Sequence, residues 1–397
     1  MARQPIYNAK LEVHAYELLF RRDEANTAGD LDAETGAQSL VSTLVDIGLR
    51  DLIGDSTAFI NVSQELLLSN SVLMLPIDQV VLEILETVQP TPEVLLRLVE
   101  LKNLGYKIAL DDFVLNAETA PLVPHASLIK VDVLGMSDEE IRRASSKIRK
   151  PGLQLLAEKV ETGAQFKTCQ RLGFELFQGY YFSKPEMMRG SSIQSNQIAL
   201  LRLAAKIQAP NAQYSELEEI ISSDVTLSYR LLKFVSSAHL GLGHTITSVR
   251  QALMFLGVST VAALATLLAM AGNTSKPHEL LTTALVRAKM CEILAKQRHQ
   301  SHTDQYFTVG LLSVLDALLN APMEAVLAEL PLSPGINEAL LHVDCENDLA
   351  LTLRSALAYE QGDWDCLQPD GVSAHDVSNA YHAAVCWASE ANQQMAA

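Results

Sequence analysis

Residues 92–132 read PEVLLRLVELKNLGYKIALDDFVLNAETAPLVPHASLIKVD, and two periods alternate within them. Over Pro92–Leu104 the residues Val94, Leu95, Leu98, Leu101 and Leu104 fall along one helical face, with Pro92 near the start and Gly105 just past the end. The short apolar runs KIAL (107–110) and LIKV (128–131) instead have the length and composition of buried strands. Working outward, similar runs recur at 59–62 (FINV), 80–85 (VVLEIL) and 153–157 (LQLLA), with helical patterns between them. Alternation of strand and helix implies parallel strands joined by helical crossovers, and a closed barrel of the TIM type is its natural form.

The pattern changes after residue 185. From about residue 192 no strand signal is present, and helical patterns cover 198–207, 214–222, 225–236, 248–256, 258–270, 277–297, 305–319 and 376–392. Turn-forming clusters such as 241–244 (GLGH) and 331–334 (PLSP) separate them. The expected fold class is α/β plus all-α: a shortened barrel domain over 1–190 and a helical bundle over 191–397, linked near 186–195 (EMMRGSSIQS).

Composition agrees with two folded domains. Of 397 residues, 48% are hydrophobic and 19% charged, so large cores can be buried and the chain is not a disordered tail. The 30 basic and 47 acidic residues give a net charge of -17, which opposes binding to a nucleic-acid polymer. A small anionic nucleotide remains compatible, because a metal ion or an arginine can invert the field of one pocket. Cys169, Cys291, Cys345, Cys366 and Cys386 are scattered and form no Cys-x-x-Cys pair, so neither a zinc site nor a disulfide framework is indicated. The first residues lack a signal-peptide core, and the most apolar run, 261–271 (VAALATLLAMA), falls short of the ~20 residues a bilayer requires. The expectation is a cytoplasmic protein that does not enter a membrane.

Acidic and amide residues recur at or near the ends of the strand patterns, where barrel enzymes carry their chemistry. Glu17 lies in YELLFR (16–21), Asn61 ends FIN, and Glu83 and Glu86 lie in LEILE (82–86). Asp111 and Asp112 follow KIAL, Lys130 and Asp132 lie in IKVD (129–132), Glu158 and Glu161 lie in AEKVET (157–162), and Gln178 precedes Gly179. Taken singly, each has an ordinary reading: a solvated edge glutamate, an Asp-Asp turn or helix cap, a surface Arg21. Taken in order, they point to one shared mouth, whose carboxylates would repel unless a cation sat among them. Mg²⁺ or Mn²⁺ takes such oxygen ligands. Two such ions ~3.5–4 Å apart would clamp a phosphodiester and activate a water. Lys130 would polarise that water or offset charge, and Arg21 would hold a phosphate oxygen.

The ordered set ELLFR (17–21), INVS (60–63), EILE (83–86), ALDDF (109–113), IKVD (129–132), AEKVET (157–162) and QGYYFSKP (178–185) resembles the EAL domain, the bacterial cyclic di-GMP phosphodiesterase fold. In the second half, ELEEIISSDVTLSYRLLKFVSS (216–237), ITSV (246–249), ALMFLG (252–257) and GLLSVLD (310–316) resemble the HDOD domain. Together the chain is similar to the EAL–HDOD signalling proteins of bacteria. The resemblance implies that Glu17, Asn61, Glu83, Asp111 and Glu158 stand at metal-ligand positions and that Asp112 serves a second metal. It puts Lys130 where a lysine helps activate the attacking water, Arg21 at a phosphate contact, Glu161 and Gln178 at supporting positions, and Glu86 at a loop anchor. For the helical half it implies docking of protein partners. Ser313 and Val314 stand where related metal-dependent hydrolases carry a His-Asp pair, so no metal is expected there. His375-Asp376 is read as the opening of the last helix, not as a ligand pair.

Three departures bear on activity. The signature reads Glu17-Leu18-Leu19, which crowds the pocket floor where the family has alanine. After Phe113 the chain runs Val114-Leu115-Asn116-Ala117-Glu118 instead of Gly-Thr-Gly and a serine pair, so the loop lacks residues free to adopt positive φ. Lys159 replaces an expected glycine and brings a long charged side chain near the mouth. The expectation is a degenerate site, weakly active or inactive, that senses cyclic di-GMP. The alternatives are an active phosphodiesterase yielding linear pGpG, and a scaffold without a ligand.

Overall fold

The structure, a computed structural model, describes residues 1–20, 48–182, 203–208, 214–237, 246, 248–271, 279–364 and 372–396. Arg21 and the linker expected at 186–195 lie outside the described residues. The chain divides into two compact units, Met1–Tyr181 and Phe182–Ala397.

Eight strands close the first unit into a barrel in sequence order: β1 Ala2–Asn8, β2 Val13–Leu19, β3 Thr57–Val62, β4 Val80–Ile84, β5 Lys107–Leu110, β6 Leu128–Asp132, β7 Gln154–Glu158 and β8 Leu176–Phe177. The wall is not parallel throughout, which corrects the sequence reading: β1 runs antiparallel to both β2 and β8, while β2 to β8 pair in parallel. The cause is the short link between β1 and β2, too brief for a crossover and therefore a hairpin. Asn8 Oδ1 accepts the Lys10 and Glu12 N–H groups at 2.8 and 3.0 Å, and Leu11 turns the chain with φ 64°.

The crossovers carry local signals. Thr91 Oγ1 accepts the Val94 N–H at 3.3 Å to start Pro92–Leu104, and Gly105 at φ 104° ends it. Ser137 and Glu140 form a capping box at the head of Asp138–Ile148. Between β5 and β6 a 3₁₀ turn, Ala120–His125, stands in place of a helix, so this crossover is trimmed. Inside the barrel, Ile6, Ala15, Phe59, Val81, Ala109, Leu128, Leu156 and Leu176 form one buried layer, one residue per strand.

The described part of the second unit contains helices and no strand. The pattern read at 305–319 is two helices, Thr303–Leu312 and Leu315–Leu319, and not one. The break sits at Ser313, whose hydroxyl donates to Gly310 O at 2.8 Å and accepts from Arg287 Nη1 at 3.2 Å. Gly310 lets Thr303–Leu312 lie against Glu279–Gln297, since a Cβ there would meet Arg287 O at 2.5 Å. Helices Met323–Leu327, Pro334–Leu341 and Asp348–Gln361 add to those read from the sequence. No described helix is long and apolar enough to cross a membrane.

Candidate metal centre

Side chains on a strand alternate faces, so residues two apart point the same way. Two steps toward the C-terminal end from Ala15, Phe59, Val81, Ala109, Leu128, Leu156 and Leu176 stand Glu17, Asn61, Glu83, Asp111, Lys130, Glu158 and Gln178. The buried apolar layer is thus the floor of a polar one. Because β1 runs the other way, its contribution is two residues before Ile6, at Gln4, which the sequence reading missed. Gln178 Nε2 closes the ring, donating to Gln4 Oε1 at 3.0 Å and to Glu17 Oε2 at 2.9 Å.

Lys130 is the hub. Its Nζ lies 3.3 Å from Glu17, 3.0 Å from Asp111 and 2.7 Å from Glu158, and it also contacts Glu83. Lys130 is 1% and Glu83 0% exposed, so this network works with little help from water. Burial opposes the ammonium, but Glu17, Glu83, Glu158 and Asp111 outweigh it and hold the Lys130 pKa well above the ordinary lysine value. Burial pushes the Glu83 carboxyl well up, with Glu17 adding to it, and burial also pushes Glu158 up to about 8.

One ammonium with three donors cannot satisfy four carboxylates. Asn61 Oδ1, Glu83 Oε2, Glu158 Oε2 and Gln178 Oε1 are buried and accept no hydrogen bond from the described residues, and Asp111 Oδ1 faces Lys130 without hydrogen-bond geometry. Orphaned buried acceptors are costly and call for explanation. All five are oxygens, the donor set that suits a hard divalent cation. Two carboxylate trios have ligand atoms within 4.8 Å of one another: Glu17, Glu83 and Glu158, and Asp111, Asp112 and Glu158.

The other predicted residues sit differently. Asp112 is at the outer edge with φ 41°, and burial, then Asp111, raises its pKa. Glu161 is exposed; its backbone N–H donates to Gln165 Oε1 at 3.0 Å, and its carboxylate takes no part in the Lys130 network. Glu86 is exposed as well. The glycine-free loop after Phe113 folds as a polar turn. Asn116 Oδ1 accepts the Glu118 and Thr119 N–H groups, both at 2.8 Å, and Thr119 Oγ1 donates to Val114 O at 2.7 Å. No residue from 114 to 119 takes a positive φ.

In the helical unit, Arg287 makes a two-point ion pair with Glu360 at 2.7 and 2.8 Å. Asp376 accepts from Ser373 Oγ at 2.6 Å and donates its own N–H back at 3.1 Å, which caps the last helix as its position suggested. A cleft of about 640 Å³ is lined by Phe234, Phe255, Lys289, Phe307 and Trp387 among others. Lys289 Nζ lies 5.3 Å from the centre of the Trp387 ring, and the Trp387 Nε1–H has no acceptor among the described residues.

Comparison with known proteins follows this division. Residues 1–185 match the EAL domain and residues 195–351 the HDOD domain. The cyclic di-GMP phosphodiesterase CdgJ of Vibrio cholerae is 34% identical over 404 residues, spanning 99% of this chain and 93% of its own. The chain belongs to the EAL–HDOD family. This EAL–HDOD protein is also 34% identical to YuxH of Bacillus subtilis, an uncharacterized protein, over 92% of this chain and 91% of that one. Among solved structures, Klebsiella pneumoniae BlrP1 in complex with calcium and cyclic di-GMP shares 25% identity over 46% of this chain and 55% of its own, with a TM-score of 0.37. The YkuI protein of Bacillus subtilis, in complex with cyclic di-GMP and calcium, shares 18% identity over 64% of this EAL–HDOD chain and 71% of its own, with a TM-score of 0.39.

Proposed function

We propose that this protein is a bacterial cytoplasmic signalling protein whose barrel, over residues 1–190, is a metal-dependent cyclic di-GMP phosphodiesterase producing linear pGpG. The observation that carries this is the set of five buried oxygens in the mouth that accept no hydrogen bond from the described residues. The 34% identity with a cyclic di-GMP phosphodiesterase over nearly the whole chain supports the substrate.

In this reading Glu17, Asn61, Glu83, Asp111 and Glu158 hold Mg²⁺ or Mn²⁺, with Asp112 at the outer edge. A bound divalent ion supplies a water acidic enough to attack phosphorus at neutral pH. Lys130 Nζ keeps the carboxylates gathered and adds a fixed positive charge beside the phosphate. Gln178 orients Glu17 through its Nε2 donor. Arg21 holds a phosphate oxygen, and the exposed Glu161 supports the site from the rim. Hydrolysis places the water oxygen on one phosphorus and returns a proton to the departing 3′ oxygen, which opens the ring.

Incubation of the full chain with cyclic di-GMP and Mn²⁺ should yield linear pGpG, and Glu17→Ala should abolish it. Ligand binding without turnover in the wild type would instead favour the degenerate, sensing form. The self-closed Asn116–Thr119 turn is the feature that supports that second reading. Absence of both binding and turnover would leave a scaffold.

The helical domain, over 191–397, docks protein partners without a metal of its own in this proposal. Exposed Tyr229, Met254 and Phe255, 62%, 63% and 49% accessible, support it. Full-length protein carrying Tyr229→Asp and Met254→Asp should lose the partners that the wild type retains; unchanged recovery refutes docking through these residues.

A further inference from the structure

The inner and outer parts of the mouth each have a lysine, and they are balanced differently. Inside, one ammonium on Lys130 faces four carboxylates, Glu17, Glu83, Asp111 and Glu158. Outside, one ammonium on Lys159 faces two, at 2.6 Å from Asp132 Oδ2 and 3.8 Å from Asp112 Oδ2. Asp132 is itself fixed, since its Oδ1 accepts the Leu134 N–H at 2.8 Å.

Lys159 leaves the backbone from a pinned point. The next residue, Val160, donates its N–H to Gln178 O at 3.0 Å and accepts from Tyr181 N–H at 2.9 Å. Gly179 packs against it so closely that a Cβ would meet Val160 N at 2.3 Å. Lys159 itself stands at φ 52°, a left-handed conformation unfavourable for a lysine. A residue held there against its preference, with its ammonium over Asp112 and Asp132, is a tethered cation at the edge of the Asp111–Asp112–Glu158 trio.

We propose that Lys159 is the built-in outer cation of this mouth, so that the chain takes a single divalent ion, at the Glu17–Glu83–Glu158 trio, where two carboxylate trios would otherwise take two. The inference rests on the metal-dependent reading above. The inner group keeps buried oxygens that no described donor reaches, Asn61 Oδ1, Glu83 Oε2 and Glu158 Oε2, while Lys159 contacts both outer aspartates and the Leu134 N–H serves Asp132, so the unfilled ligand positions lie inward. A tethered ammonium also competes at a high effective concentration that no free ion shares. Its donors remain available to a phosphate oxygen as a point charge.

The test is ion stoichiometry, read without turnover. Full-length protein is dialysed against Mn²⁺ at concentrations that saturate the first site, and bound manganese per chain is measured together with its low-temperature electron paramagnetic resonance. Wild type and Lys159→Arg should bind one ion with the spectrum of isolated Mn²⁺. Lys159→Gly and Lys159→Gln should bind two, with the signature of an exchange-coupled pair. Two ions on the wild type, or one ion on all four proteins, would overturn the role of Lys159 while leaving the metal-dependent reading intact. No ion on any of them would remove both.

Discussion

Replacing Lys130 by methionine keeps the length of the side chain and removes the one charge that gathers four carboxylates. Lys130 is 1% exposed, so solvent screens little of the loss. Taking one partner out of a buried ionic network costs about 3–5 kcal/mol. For a domain of this size each kcal/mol moves the melting temperature by about 2–4 °C, so the metal-free barrel should melt roughly 6–20 °C lower. Scanning calorimetry of the full chain reads this, with the barrel transition identified by its response to Mn²⁺. A divalent ion restores positive charge to the vacated position. At a hundredfold excess over its Kd, Mn²⁺ should stabilise the variant by about 2.7 kcal/mol, and at one fixed Mn²⁺ concentration it should raise the variant's transition more than that of the wild type. A metal-free shift under about 2 °C, which corresponds to less than about 1 kcal/mol, would refute the view that Lys130 holds the mouth together.

Protonation gives an independent handle. Glu158 rises to about 8 in the folded barrel from an ordinary value near 4.5, and Glu83 shifts the same way. The native state then binds more protons than the unfolded one between these values, so stability is fully present below about 4.5 and is lost as pH climbs toward 8. Urea titrations of the metal-free protein should show this decline, at up to ~1.4 kcal/mol per pH unit per group, and Mn²⁺ should flatten it. Gly179→Ala forces a Cβ to 2.3 Å from Val160 N at φ 144°; it should destabilise the barrel by about 1–3 kcal/mol and weaken Mn²⁺ binding, both measurable by thermal shift. In the helical unit, Glu360→Ala leaves Arg287 without its two-point partner and should cost about 3 kcal/mol, seen as a lowered transition that Mn²⁺ does not rescue.

Much of the barrel was legible because β3 to β7 are short, largely buried apolar runs. β1 escaped notice because ARQPIYN has no such run: Gln4 faces the polar layer, and Arg3 is buried with its guanidinium 4.5 Å from the Tyr16 ring centre. β8 has only two residues, too few to show any period. In the second unit, Asp348–Gln361 was obscured by buried Thr352 and Ser355, whose hydroxyls donate to Asp348 O and Leu351 O at 2.9 Å and so do not break the helix. The centre was readable because each of its residues stands two places beyond an apolar one on a strand. Gln4 was not, since only the reversed direction of β1 brings it to the same level. Glu161, read as part of the site, follows β7 on the exposed side of the chain, where alternation no longer applies.

The hairpin that reverses β1 also sets an order of events. β1 pairs along one edge with its sequence neighbour β2, but its other edge pairs with Leu176 and Phe177, more than 160 residues later. A chain emerging from the ribosome with only its first seven strands would be an open sheet, with Gln4 and Glu17 awaiting Gln178. At synthesis rates of about 5–20 residues per second, roughly 9–35 seconds would separate Gln4 from Gln178. The charged ring can therefore close only after Gln178 has been made, and a nascent barrel cannot grip an ion in its finished geometry before its wall is complete.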